Sequence, residues 1–249
     1  MLKLGKTILN GTPRVAVGFK DNLSADILQQ IEDYGLDVVE LRIDLYSSFD
    51  TQHVIQEVKK LGKFSSIATI RLEKEGGEWN LSEQKRVALF KAIIPYVDAV
   101  DIELYSQSIL KEVISAAHKA KKLVCVSYHN FDKTPSHSKL TEILKEAKAN
   151  KADIVKIATL ALTRTDVQNL ANFTIANKDK NIITIAMGAE GVISRILFPA
   201  LGSLLTYASL GSSTAPGQLD YSITFDFLRR LYPKYNQEKI NSLKLLELA

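Results

Sequence analysis

Residues 153–158 read Asp153-Ile154-Val155-Lys156-Ile157-Ala158, a short apolar run with a lysine set inside it. Such a run, rich in β-branched residues, is the pattern of a strand buried on both faces of a parallel sheet. Side chains alternate along a strand, so Lys156 shares a face with Ile154 and Ala158, while Val155 and Ile157 point the other way. The small Ala158 suits that first face to the tight interior of a closed barrel.

Seven similar runs surround it: Val15 to Phe19, Val38 to Ile43, Ser66 to Arg71, Ala99 to Glu103, Leu123 to Ser127, Ile182 to Met187 and Leu204 to Ala208. From centre to centre they recur at about 27 residues, the length of a strand, a helix and two short loops. The stretches between carry helical stripes, such as Ile27, Leu28 and Ile31 behind Ser24, and Leu140, Ile143, Leu144 and Ala147. An open doubly wound sheet shows the same alternation. Eight evenly spaced units favour an α/β chain folded as one (β/α)8 TIM barrel over residues 1–249, with a small N-terminal hairpin turning at Asn10-Gly11.

With 46% apolar residues, 249 positions can bury one large core. The net charge of +4 is scattered, with no basic run longer than a pair, so a nucleic-acid partner is not expected. The single Cys125 excludes an intrachain disulfide and fits a reducing, cytoplasmic setting. No stretch approaches the ~20 apolar residues that would cross a bilayer. One cysteine, and no histidine pair at helical spacing, give no support for a metal site.

In a parallel barrel the chemistry gathers at the carboxyl ends of the strands. Those places hold Glu40, Arg42, Arg71, Glu75, His129, Lys156, Met187, Arg195 and Gln218, whereas the strand beginnings carry plain flanking residues such as Asp37, Asp98 and Asp153. Burial disfavours an ammonium and frees a nucleophilic amine at Lys156. The same residue also fits a rim lysine whose stem packs while its head reaches water. His129 suits proton transfer near neutral pH, or is a loop histidine held by hydrogen bonds. The glycine-bearing loop 74–78 can bring Glu75 to His129. Glu40 and Arg42 share a strand face and form either an ion pair or a polar floor for substrate hydroxyls. Arg195 can clamp a carboxylate with two parallel hydrogen bonds. The stretch 210–218 is small, polar and lid-like.

The motifs Glu40-Leu-Arg42, Arg71 with Glu75-Gly-Gly-Glu, Ser127-Tyr-His129, Val155-Lys156-Ile-Ala, Met187-Gly, Ile193-Ser-Arg195 and Ala215-Pro-Gly-Gln218 resemble, in order and spacing, type I 3-dehydroquinate dehydratase. The resemblance covers nearly the whole chain. It implies loss of water from 3-dehydroquinate in the shikimate pathway, without a cofactor or metal, in a homodimer. It further implies Lys156 as the Schiff-base lysine, His129 as the general acid and base, and Glu75 as its orienting partner. Glu40, Arg42 and Arg71 would hold ring hydroxyls, and Arg195 and Gln218 the carboxylate. Tyr207 stands where phenylalanine is common in that family, and Thr214 where serine is common. A class I aldolase also uses a barrel lysine, but the carboxylate grip argues against a phosphorylated sugar. A non-catalytic carboxylate-binding barrel would have no use for a reactive amine.

Overall fold

The computed structural model describes residues 1–211 and 215–247. A hairpin of β1 (Lys3–Leu4) and β2 (Thr7–Ile8) precedes eight parallel strands. These are β3 (Val15–Phe19), β4 (Val38–Arg42), β5 (Ser66–Thr69), β6 (Ala99–Glu103), β7 (Leu123–Asn130), β8 (Ile154–Leu160), β9 (Ile182–Met187) and β10 (Thr206–Ala208). A helix follows each: α1 (Ala25–Asp33), α2 (Thr51–Lys60), α3 (Glu83–Ile93), α4 (Leu110–Lys119), α5 (His137–Ala149), α6 (Arg164–Ala176), α7 (Ser194–Leu201) and α8 (Tyr221–Leu231). A further helix, α9 (Pro233–Glu247), ends the described chain.

The strands run in the order β10-β3-β4-β5-β6-β7-β8-β9, so each is hydrogen-bonded to its sequence neighbour and β10 returns to β3. Between β9 and β10 a single backbone bond, from Leu204 N–H to the Ile182 carbonyl, replaces the ladder. The Ser203 hydroxyl accepts from Thr184 N–H beside it. The result is a nearly closed (β/α)8 barrel. Residues 203–205 bridge this seam, which is why the last strand starts at Thr206 and not at Leu204.

Helix starts follow their side-chain caps. Ser24, Ser82, Ser136 and Thr163 each accept a backbone N–H of the first turn, a contact worth roughly 1 kcal/mol. The alternation read from residues 153–158 sorts the core. Val155 and Ile157 pack outward with the helices, and Ile154 and Ala158 pack inward with Ala16, Val38, Ile67, Ala99 and Cys125.

Leu4 and Leu9 close the base of this inner cluster, and burying each contributes roughly 1.5–3 kcal/mol. The hairpin lies beneath the barrel as expected, but it turns at Gly5-Lys6 and not at Asn10-Gly11. Gly5 has φ of +53°, and a Cβ there would stand 2.3 Å from Asp98 Oδ2. The approach of the turn to the strand beginnings therefore selects glycine at position 5. Asp37 at the base accepts from Val15 N–H and Tyr235 Oη and pairs with Lys239 at 2.9 Å, so the strand beginnings are not plain flanks.

Candidate active site

Above the apolar layer the inward faces turn polar. Glu40 and Arg42 rise from β4, Asp101 and Glu103 from β6, Ser127 and His129 from β7, and Lys156 from β8. Arg71 stands two residues past the end of β5. Most of these line a cavity at the carboxyl-end mouth. Every site residue read from the sequence lines it, namely Glu40, Arg42, Arg71, Glu75, His129, Lys156, Met187, Arg195, Tyr207 and Gln218. Thr214 alone lies outside the described residues.

Lys156 is buried, with Nζ 3.3 Å from Glu40 Oε1 and 3.4 Å from Asp101 Oδ2. The same nitrogen lies 4.2 Å from the centre of the Tyr207 ring. Two carboxylates and a ring face thus surround the buried amine. Thr69 Oγ1 donates to Glu40 Oε1 at 2.9 Å and fixes that carboxylate from below. Glu40 does not pair with Arg42, which gives a two-pronged contact to Asp44 at 3.1 and 2.7 Å. The three-residue turn Ile43–Leu45 places Asp44 under the guanidinium, and this local pairing outcompetes the strand neighbour.

Arg71 donates to Asp101 Oδ1 at 2.8 Å and to Ser127 Oγ at 2.6 Å, and lies 3.2 Å from Glu103. Burial alone would raise the Asp101 carboxyl, but Arg71 and then Lys156 outweigh it and hold the group well below the usual carboxylate range. Asp101 is therefore a fixed anion beside the amine.

One carboxyl oxygen of Glu75 meets His129 twice, at 2.9 Å from the backbone N and 3.0 Å from Nδ1. Burial, reinforced by Glu103, pushes the Glu75 carboxyl up to about 8 against the pull of Arg71. Burial, then Arg71 and Lys156, push the His129 imidazole well below its ordinary value. The pair thus keeps the imidazole uncharged, and Glu75 occupies Nδ1 while Nε2 is left for the cavity. The loop carrying Glu75 is tightly held. Gly76 has φ of +78°, and a Cβ there would meet the Phe131 ring at 2.4 Å.

Arg195, in the first turn of α7, is almost fully buried. It donates to the carbonyls of Gly217 at 2.7 Å, Pro216 at 3.0 Å and Tyr207 at 3.1 Å. Two of its N–H groups thus hold the 215–218 segment against the mouth, a third holds β10 at Tyr207, and two remain. Among the described residues it has no acidic partner, and burial pulls it down to about 10. Met187 ends β9, and its carbonyl accepts from Ala161 N–H at 3.0 Å.

A family model for type I 3-dehydroquinase matches residues 15–232. The 3-dehydroquinate dehydratase of Thermodesulfovibrio yellowstonii is 35% identical over 215 residues, covering 85% of this chain and 92% of its own. The catabolic 3-dehydroquinate dehydratase of Acinetobacter baylyi is 34% identical over 213 residues, covering 81% of this chain and 78% of its own. The crystal structure of the type I 3-dehydroquinate dehydratase of Clostridium difficile, with covalent modified comenic acid, superposes with a TM-score of 0.82 at 29% identity. It covers 91% of this chain and 95% of its own.

The chain belongs to the type I 3-dehydroquinase family.

As a type I 3-dehydroquinase it is a hydro-lyase. Further groups of its site carry no role in the sequence reading: buried Asp101, Ser127, Glu103 and Asp44, and the partly exposed Phe131. The first three share the inward face of β6 or β7, so the alternation that placed Lys156 would have found them. Phe131 stacks on the His129 ring at 6.5 Å and 16°, and only the strand's extension to Asn130 brings it there. In this type I 3-dehydroquinase Cys125 lies wholly within the inner core, and burial pushes its thiol far up.

Proposed function

We propose that the chain removes water from 3-dehydroquinate to give 3-dehydroshikimate, through an imine on Lys156, with His129 as general acid and base. The observation that carries this reading is the convergence of Lys156, His129 and Glu75 on one enclosed mouth. The covalently modified ligand in the Clostridium difficile relative is in keeping with it.

The Lys156 nitrogen adds to the ketone carbon, and the carbonyl oxygen leaves as water to form a protonated imine. His129 Nε2 takes the α-proton, and the C–H electron pair moves into the C–N unit as an enamine. That pair then expels the β-hydroxyl, which departs as water with the proton from His129. Water hydrolyses the product imine and frees Lys156. The protonated imine keeps a positive charge where the ammonium stood, so Glu40 and Asp101 support both. Glu40, at 3.3 Å and in the cavity wall, is the base in reach for the lysine's proton, because Arg71 makes Asp101 too weak a proton acceptor. Covalent catalysis divides one hard elimination into easier steps, and positioned acid–base help adds ~10²–10⁴-fold. A substrate carboxylate supplies the counter-charge that buried Arg195 lacks among the described residues, with Gln218 beside it.

Borohydride reduction in the presence of 3-dehydroquinate, followed by mass spectrometry, tests this reading. An adduct on Lys156 is expected, with growth of enone absorbance before reduction. Folded protein that forms no adduct would remove the mechanism. The reading includes a cytoplasmic setting and a homodimer, and exposed Ile193 and Leu197 on or beside α7 and Phe227 and Leu231 on α8 support the assembly. Light scattering at micromolar concentration tests the assembly.

A further inference from the structure

Arg86 is fully buried on α3, among Val87, Leu89, Phe90 and Ile93 on the helix face that packs against the barrel. A guanidinium at a core position is costly unless its charge and its N–H groups are all met. Here they are. Nε donates to the Ile70 carbonyl at 2.8 Å, Nη1 donates to Ser106 Oγ at 3.0 Å, and Nη2 pairs with Glu103. Glu83, on the same helix, lies 3.4 Å from Nη1 at the outer edge. Arg86 does not line the mouth, so it cannot touch substrate there.

Glu103 is the link. One oxygen takes Arg86 and the Ser106 hydroxyl at 2.8 Å. The other accepts from Leu72 N–H at 3.0 Å and pairs with Arg71 at 3.2 Å. Leu72 opens the loop that carries Glu75 to His129, and Arg71 holds Asp101 beside Lys156. A chain of alternating charge thus runs from the helix layer to the amine: Arg86, Glu103, Arg71, Asp101, Lys156.

We propose that Arg86 is a positioning residue for the reaction, acting through Glu103 to set Arg71 and the Glu75 loop against His129. Without it Glu103 has Arg71 as its only cation among the described residues. Arg71 is then drawn away from Asp101, and the anchor of Leu72 loosens. The proposal rests on the Glu75–His129 pair being the working acid and base. Arg71 past β5, Asp101 and Glu103 of β6, Tyr105 beyond β6 and His129 of β7 all face Glu75. Removing the positive charge of Arg86 moves the titration of that pair to higher pH, and removing the negative charge of Glu103 moves it lower.

The test is the pH profile of kcat in Arg86→Met, Arg86→Lys, Glu103→Gln and Glu75→Gln, each checked for folding by circular dichroism. Arg86→Met is expected to lower kcat about 10-fold to 100-fold with KM little changed. Its pH limb should rise by about one unit. Arg86→Lys should restore part of both effects, and Glu103→Gln should move the limb the opposite way. Should Arg86→Met fail to fold, Arg86→Lys and Glu103→Gln still decide through the limb. A limb displaced in Glu75→Gln but unmoved in the Arg86 and Glu103 variants overturns the proposal, since Arg86 would then be structural filling. A limb unmoved in Glu75→Gln overturns both this proposal and the role of the pair.

Discussion

Lys156 Nζ sits 4.2 Å above the centre of the Tyr207 ring, and the hydroxyl of that ring is buried without a hydrogen-bond partner among the described residues. The ring face steadies a cation, whether ammonium or protonated imine, but the hydroxyl adds nothing to that contact. An orphaned buried hydroxyl costs about 1–3 kcal/mol.

Tyr207→Phe should therefore raise stability by about 1 kcal/mol and leave turnover within a few-fold of the parent. The melting temperature would rise by roughly 2–4 °C for a chain of this size. Calorimetry and initial rates check this, and a clear loss of stability would mean that the hydroxyl has an ordered partner.

Lys156→Ala should abolish turnover and also destabilise the fold by about 3 kcal/mol, because Glu40 and Asp101 lose the cation between them. Lys156→Arg keeps a cation that cannot form the imine. It should hold most of the stability while remaining inactive. Urea unfolding of both variants beside the parent decides, and equal stability of all three would refute the pairing argument.

Glu75 keeps its proton up to about 8 in the folded chain, against an ordinary value of 4.5. The folded state then holds a proton that the unfolded state has lost. This contribution to stability is full below about pH 4.5, declines as pH rises, and levels off above about pH 8. Between about pH 6.5 and pH 8, Glu75→Gln should remove roughly 2 kcal/mol of that decline. Denaturant titrations at the two pH values measure it, and an unchanged decline would show that Glu75 ionises normally.

Gly76→Ala places a methyl group 2.4 Å from the Phe131 ring at a φ of +78°. Strain of about 1–3 kcal/mol follows, and the Glu75 carboxyl shifts from Nδ1 of His129. We expect kcat to fall about 10-fold or more while KM changes little. Steady-state kinetics would rule the effect out if both parameters stayed at parent values.

Much of this arrangement is legible in the sequence because strand periodicity is simple. Lys156 inside its apolar run points inward by alternation, and the rim position of His129 and Glu75 follows from where strands end. Asp101 and Glu103 obey the same rule, but the run Ala99 to Glu103 is read only as a strand and its two charges are given no role. Arg86 escapes for a different reason: on a helix, a charge facing the barrel and one facing water have the same local sequence. Arg195 was expected to grip a carboxylate. Its contacts to two loop carbonyls and one of β10 involve backbone atoms, which no residue type encodes. The pairing of Arg42 with Asp44 depends on a short turn after the strand, a detail of geometry and not of composition.

At the base, Asp37 receives Val15 N–H from the first barrel strand and Lys239 from the last described helix. That one carboxylate joins segments far apart in order of synthesis. A nascent chain can stack its strands in order as they emerge, yet this floor stays unlatched until Lys239 has cleared the ribosome.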